Sequence, residues 1–313
     1  MYESNYAVLQ QVIAEKSVIR PVSKHRNPDG SFDLTGNKKL WNDAIARFEQ
    51  LPLWADGAPG YDGRDPLQPP PSLIFIPAQG QNAPRGTVVV AHGGGFESRT
   101  GCEGMHVAAY FAKAGFNAAI LTYRLRPYSR RDAMADMQRA IRLLRCRGQA
   151  LGITDKVSVM GFSAGGMLSG NCATHYDAGD PAAPDEVERF SCRPDAAVVG
   201  YGAFATLAFP AGLFHDPFAD GERREKLYLA PEKNVTCDTP PFFIWQTNSD
   251  DPRNAFVLAS SLTEAGVPFE LHCFPDGVHG LALADGENDL SLDLPHVAHW
   301  AGLCAEWLCG QGL

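Results

Sequence analysis

Val157-Ser-Val-Met-Gly161-Phe-Ser163-Ala-Gly165-Gly166 is an apolar run that ends in G-x-S-x-G and passes straight into a helical pattern. Strand, sharp turn and helix in that order lift a serine hydroxyl clear of the end of a strand. The flanking residues must be small, because a side chain at either glycine would collide with neighbouring backbone. A helix beginning at Ala164 also aims its first N–H groups at whatever the serine attacks. Ser163 is therefore the candidate nucleophile. In a chain with 31 glycines a bare G-x-S-x-G arises easily, so the weight rests on the strand and helix that flank it.

Outward from this turn the same alternation repeats. Apolar strands are expected at 73–76, 87–91, 118–123, 157–160, 196–201, 242–246 and 269–274. Helical patterns lie between most of them, at 104–113, 130–149, 165–175, 253–264 and 296–308. Strands apolar on both faces and separated by helices predict an α/β fold with a mostly parallel, doubly wound sheet. In such sheets ligands bind beyond the carboxyl ends of the strands, so informative residues should follow strands directly. Residues 1–16 read as a short amphipathic helix. Residues 17–72 are rich in Pro, Gly, Asp and Asn, with one helix expected at 38–50. This gives an N-terminal extension over 1–72, wrapped outside the domain or over its mouth, and a catalytic domain over 73–313. The stretch 204–238 breaks the rhythm with aromatics, prolines and a charged run, and reads as a small insertion above the sheet.

A second strand closes on His92-Gly93-Gly94-Gly95-Phe96. Acyl transfer places negative charge on a former carbonyl oxygen, and fixed backbone N–H groups stabilise it by about 3–4 kcal/mol each. Residues without side chains let backbone approach that closely. Gly94 and Gly95 are the expected donors here, with Ala164 after the nucleophile. A phosphate-cradling loop would need a following Gly-Lys-Ser/Thr, which is absent. His92 reads as a brace for the loop rather than a proton carrier.

A serine needs a base, and the base a carboxylate to orient it. Of the nine histidines only His279 lies just after the last strand. His272 alternates within that strand and is expected to be packed. His296 and His299 share a face of the last helix without a carboxylate or cysteine to complete a metal site. His25, His106, His175 and His215 have no supporting context. The penultimate strand ends in Asn248-Ser249-Asp250-Asp251-Pro252. The order Ser, Asp, His then follows if Asp250 is the acid; Asp251 is the alternative, with capping of the helix beginning near Pro252 as the other role for the second carboxylate. A base of this kind is expected to titrate near an ordinary histidine, about pH 6.5.

Composition narrows the remaining classes. With 45% hydrophobic and 20% charged residues the chain can bury a sizeable core, and a net charge of −9 argues against nucleic acid as a partner. No apolar run is long enough to span a bilayer, and the start carries no basic-then-apolar leader, so a cytoplasmic location without membrane contact is expected. The eight cysteines form no C-x-x-C pair and no zinc spacing, and are expected as free thiols. No metal and no cofactor are expected, and oligomeric state is not legible.

With these residues in view, the chain resembles the bacterial acetyl esterase/acetylxylan esterase-like branch of the α/β hydrolases, related to hormone-sensitive-lipase-like esterases and prolyl oligopeptidases. The matching pieces are His92-Gly-Gly-Gly-Phe96, Glu103-Gly104, Tyr123-Arg-Leu-Arg-Pro127, Gly161-Phe-Ser-Ala-Gly-Gly166, Arg193-Pro-Asp195, Asp238-Thr-Pro-Pro241, Ala265-Gly-Val-Pro268 and Gly277-Val-His-Gly280. They span residues 73–285. Leu53-Trp54 looks like an early segment of the same branch. The resemblance implies an α/β-hydrolase fold and hydrolysis of short acyl esters, often acetyl groups on oligosaccharides, without metal or cofactor. Phe96 and Glu103 are the expected substrate contacts. Phe96, Phe204, Phe209, Phe214 and Phe218 are expected to crowd the mouth and favour acetyl or propionyl groups. Two other readings compete: a prolyl-oligopeptidase-like serine peptidase, and a silent binding module on the same fold.

Overall fold

The apolar runs form strands because β-branched and aromatic side chains fit a pleated surface covered on both sides. A computed structural model describes residues 2–18, 27, 29–80, 85–202 and 223–313. The strands are β1 (Leu51–Pro52), β2 (Ser72–Ile76), β3 (Thr87–Ala91), β4 (Asn117–Thr122), β5 (Val157–Phe162), β6 (Ala196–Gly200), β7 (Phe242–Thr247) and β8 (Phe269–Phe274). They make one eight-stranded sheet in the order β1-β2-β4-β3-β5-β6-β7-β8. β2 runs antiparallel to both β1 and β4, and every pairing from β4 to β8 is parallel. This is the mostly parallel α/β-hydrolase sheet expected from the sequence.

Strand order reverses between β3 and β5, since the chain leaves β3 for β4 on one side and returns to β5 on the other. A crevice opens at such a switch point. Register then sets what stands level within it. Ala91 pairs with Gly161, Phe162 with Gly200, and Thr247 with Phe274. The residues that follow β3, β5, β6, β7 and β8 therefore emerge side by side.

Successive side chains leave the sheet on opposite faces, and two cores follow. Ile74, Val88, Val90, Ile120, Met160, Phe162, Phe243 and Trp245 pack on one face, beneath α1 (Glu3–Glu15), α2 (Leu34–Ile45), α3 (Val107–Lys113) and α8 (Pro295–Gly310). Leu73, Phe75, Val89, Leu121, Val159, Val199 and Ile244 pack on the other, beneath α4 (Arg130–Leu151), α5 (Ala164–Thr174) and α7 (Arg253–Ala265). A capping box between Ser129 and Asp132 starts α4, and Gly152 in the left-handed region ends it. Just before α4, Arg124 forks onto Asp136, its Nη2 donating to Oδ1 at 2.8 Å, with both side chains buried.

The N-terminal region departs from expectation in two ways. It supplies an edge strand, β1, and α2 runs from Leu34 to Ile45 rather than over 38–50, because the Asp33 side chain accepts from the Gly36 N–H and caps it early. The helix expected at 104–113 likewise opens as a π-helical turn, Cys102–His106, before α3. Residues 203–222, most of the expected insertion, lie outside the described residues, as do His25, His215, Phe204, Phe209, Phe214 and Phe218. The rest of that stretch carries α6 (Arg223–Tyr228) and a 3-10 turn at Pro231–Lys233. All eight cysteines are free thiols. Among the described residues no helix is long and apolar enough to cross a membrane.

Candidate active site

Ser163 directly follows β5 with φ +54° and ψ −119°, a backbone state that costs roughly 1–3 kcal/mol for a non-glycine residue. Its surroundings hold it there. The Ser163 N–H donates to the Gly200 carbonyl at 3.1 Å, and its own carbonyl accepts from Met167 N–H at 3.0 Å. The flanking glycines make the turn possible by close backbone approach. A Cβ on Gly161 would strike the Gly165 carbonyl, and one on Gly165 would strike the carbonyls of Ala91 and His92.

The loops after β7 and β8 bring two more groups to this hydroxyl. His279 Nε2 lies 2.7 Å from Ser163 Oγ, and His279 Nδ1 lies 2.7 Å from Asp250 Oδ2. An ionised carboxylate only accepts, so Nδ1 carries the proton and Nε2 is left to accept from the serine hydroxyl. The two loops are tied together, with Asn248 N–H donating to the Phe274 carbonyl at 2.9 Å. Gly277, at φ +124°, packs against Thr247 where a Cβ would lie 2.8 Å from its methyl group. Burial lowers the pKa of the His279 imidazole, but the hydrogen bond and charge of Asp250, with a further contribution from Glu103, outweigh it and hold it above the ordinary value. The expectation of an unshifted base is corrected accordingly. Asp251 turns away, its Oδ1 accepting from Arg253 Nε at 2.7 Å and from the Arg253 N–H at 3.3 Å. It sits at the start of α7 and does not contact His279.

The loop after β3 closes over the same point. A Cβ on Gly93 would lie 2.9 Å from Ser163 Cβ and would also strike Glu103 Oε2. Gly94 adopts φ +109°, where a Cβ would strike the Ser98 carbonyl, and Gly95 adopts φ +64°. The Gly94 carbonyl is turned inward, accepting from Ser98 N–H at 2.9 Å and Glu97 N–H at 3.0 Å. Among the described residues no group accepts from the N–H of Gly94 or of Gly95. Ala164 opens α5, so its N–H has no carbonyl one turn back to bond. Such free donors beside a serine hydroxyl are suited to receive an oxyanion.

His92 is fully buried, stacked on Tyr123 with ring centroids 4.4 Å apart and edge-on to Trp41 at 4.9 Å. Burial and the nearby Arg99 charge push its pKa down to about 3, so it is a neutral ring whose Nδ1 donates to the Gly93 carbonyl at 2.7 Å. It braces the loop.

Two expected substrate contacts are placed elsewhere. Phe96 is buried, because its left-handed backbone (φ +59°) turns the ring down onto Tyr123. Glu103 is 2% exposed and faces inward from the π-helical turn. Its Oε2 accepts from Gly93 N–H at 2.7 Å and from the Thr100 hydroxyl, and its Oε1 accepts from the Tyr201 hydroxyl at 2.8 Å. Both are less exposed than Ser163 and are engaged with protein neighbours. Tyr201 went unnoticed in the sequence; it follows β6, level with Ser163, and lies edge-on to the His279 ring at 5.1 Å.

The other histidines stand apart. His272 on edge strand β8 pairs with Glu270 at 2.7 Å, His106 with Asp285 at 2.8 Å, and His175 lies 3.1 Å from the Asn171 carbonyl of its own helix. His272, His296 and His299 line a groove of about 550 Å³ with Cys273, Phe274 and Glu306, whose walls include none of Ser163, Asp250 and His279. Among the described residues no cluster of His, Cys, Asp and Glu is arranged to hold a metal ion.

Comparison with known proteins gives a consistent picture. The BD-FAE family model matches residues 73–199. The crystal structure of an acetyl ester-xyloside bifunctional hydrolase from Caldicellulosiruptor lactoaceticus superposes with a TM-score of 0.75 at 33% identity, covering 84% of this chain and 96% of that one. An endo-1,4-beta-xylanase B from Butyrivibrio fibrisolvens is 29% identical over 295 residues, 91% of this chain and 45% of its own length. An acetylxylan esterase from Xylanibacter ruminicola is 25% identical over 220 residues, 66% of this chain and 43% of its own. The chain thus spans less than half the length of these two curated relatives.

Proposed function

Since the chain belongs to the acetyl esterase-like α/β hydrolases, we propose that it is a serine carboxylesterase removing short acyl groups, acetyl above all, from carbohydrates. The observation that carries this reading is the relay from Asp250 through His279 to Ser163, with both links at 2.7 Å.

The proposed steps assign one task to each of these groups. Ser163 Oγ attacks the acyl carbonyl carbon while His279 Nε2 takes the hydroxyl proton, and Asp250 holds the resulting imidazolium in place. The negative charge that appears on the carbonyl oxygen is received by the N–H groups of Gly94, Gly95 and Ala164. Collapse breaks the ester bond, and His279 returns its proton to the departing sugar oxygen. The acyl group is left on Ser163. A water then attacks it, giving a proton to His279, and a second collapse releases the carboxylic acid and restores the serine. No step calls for a metal or a redox partner.

The acyl and sugar preferences rest on likeness to relatives named for acetyl esters, xylosides and xylan. Turnover of nitrophenyl acetate through decanoate, beside acetylated xylo- and manno-oligosaccharides, tests them. The expected result is highest kcat/KM for acetyl or propionyl esters, release of acetate from the oligosaccharides, and labelling of wild type but not Ser163→Ala by a fluorophosphonate. A maximum at octanoyl or longer would remove the sugar-acetyl reading, and labelling of Ser163→Ala would remove the nucleophile.

A further inference from the structure

We propose that Glu103 is a positioning residue of this site, a second carboxylate that fixes the glycine loop on one side and, through Tyr201, the His279 loop on the other. The inference rests on the serine-esterase reading for its catalytic consequence, but its geometry stands on its own.

Three hydrogen bonds converge on Glu103, and the donors are committed to it. The Thr100 oxygen already accepts from Gly93 N–H at 3.0 Å, so its hydroxyl proton is free to go to Glu103 Oε2. The Tyr201 oxygen accepts from Ala282 N–H at 2.9 Å, so its proton goes to Glu103 Oε1. Gly93 N–H, shared between Thr100 Oγ1 and Glu103 Oε2, supplies the third. Only a group that accepts at both oxygens satisfies this set, and a carboxylate does so while a neutral amide does not.

The two ends of this network are the two moving parts of the chemistry. Gly93 directly precedes the free donors Gly94 and Gly95, so a fixed Gly93 N–H fixes the plane from which they project. Tyr201 packs edge-on with the His279 ring and accepts from the N–H of Ala282, three residues further along the same loop. One buried side chain thereby sets the separation between the oxyanion donors and the base. Without it each loop would retain its own turn but lose its reference to the other. Misplacement on the order of 1 Å can cost about a hundredfold in rate.

Glu103 is also a charge. The groups that face His279 are Asp250 after β7, Ser163 after β5, Tyr201 after β6 and Glu103 behind them from the turn after β3. Asp250 and Glu103 both favour the protonated imidazole. Glu103 should thus contribute to the acid limit of activity, which a purely structural carboxylate would leave alone.

Three full-length variants separate position from charge: Glu103→Gln, Glu103→Asp and Tyr201→Phe. The readouts are thermal unfolding, the kcat and KM of nitrophenyl acetate, and the titration of His279 followed by NMR with labelled histidine. The NMR readout does not depend on turnover. Glu103→Gln should lower the His279 midpoint, as loss of a nearby buried negative charge requires. Glu103→Asp should keep the midpoint but lower kcat, because the charge stays while the reach shortens. Tyr201→Phe should lower kcat about tenfold or more with KM nearly unchanged, as a displaced base predicts. A folded Glu103→Gln with an unchanged His279 midpoint overturns the charge role. If Glu103→Gln does not fold, Tyr201→Phe with kcat within twofold of wild type overturns the positioning role. Absence of ester turnover in wild type would instead count against the esterase reading, leaving the His279 titration to decide on Glu103.

Discussion

Asp250 and Asp251 are adjacent in the chain and serve different partners: one accepts from His279 Nδ1 at 2.7 Å, the other is forked onto Arg253. The chain turns sharply between them, with Asp251 at φ +45°. Asp250→Asn should therefore cut kcat by about 10⁴, because the amide stabilises the wrong imidazole tautomer. Asp251→Asn should leave kcat within a fewfold and lower stability by less than about 1 kcal/mol, as expected for an exposed pair at a helix start. Steady-state kinetics of both variants check this, and the reverse order of damage would reassign the acid.

The base must be neutral to take the serine proton, so activity is lost as pH falls through the His279 midpoint. Because that midpoint is raised, the acid limb of kcat/KM should lie above about 6.5, the ordinary histidine value, with a plateau in mildly alkaline buffer. Asp250→Asn should move the remaining limb downward, since the partner that raises it is neutralised. His272→Ala should leave the limb in place, because His272 bonds to Glu270 on the edge strand and not to Ser163.

Gly94 and Gly95 both have positive φ but differ in the space around them. A Cβ on Gly94 would strike the Ser98 carbonyl, whereas one on Gly95 meets nothing within 4 Å. Gly94→Ala should displace the loop and cost about 10²–10³ in kcat, the loss seen when one oxyanion donor is removed. Gly95→Ala adds only backbone strain, roughly 1–2 kcal/mol, and should lose much less activity. Equal losses would mean that backbone strain, and not the collision with Ser98, decides the outcome.

Arg124 and Asp136 form a buried pair whose loss of one partner strands a charge. Asp136→Ala should destabilise the protein by about 3–5 kcal/mol. It should leave the pH profile of the folded fraction unchanged, as the pair makes no contact with His279. Urea unfolding beside kinetics at low denaturant would show whether the two effects separate.

Much of this architecture was legible because the strands are apolar on both faces and their bounds are marked by glycines and prolines. Ser163, His279 and Asp250 were legible for a related reason: each directly follows a strand, and parallel register places such residues side by side. The parts that escaped lack a local signal. β1 is two residues long and contains a proline, too short to show alternation. The antiparallel sense of β2 is decided by its partners and leaves no trace in Ser72–Ile76. Tyr201 and Glu103 are 98 residues apart, and their hydrogen bond arises only after the sheet has formed. Phe96 and Glu103, both expected to meet substrate, are instead buried, Phe96 at a positive φ against Tyr123 and Glu103 within a π-helical turn.

The N-terminal helices carry a consequence for where this molecule can be divided. Asn37 exchanges two hydrogen bonds with the Arg99 backbone, at 2.8 and 2.9 Å, and fully buried Trp41 lies against His92. The recognisable family match begins at residue 73, after both of them. A chain cut there would keep Ser163, His279 and Asp250 and lose the wall against which the glycine loop is packed. The family model thus covers less of the chain than the packing that holds its glycine loop in place.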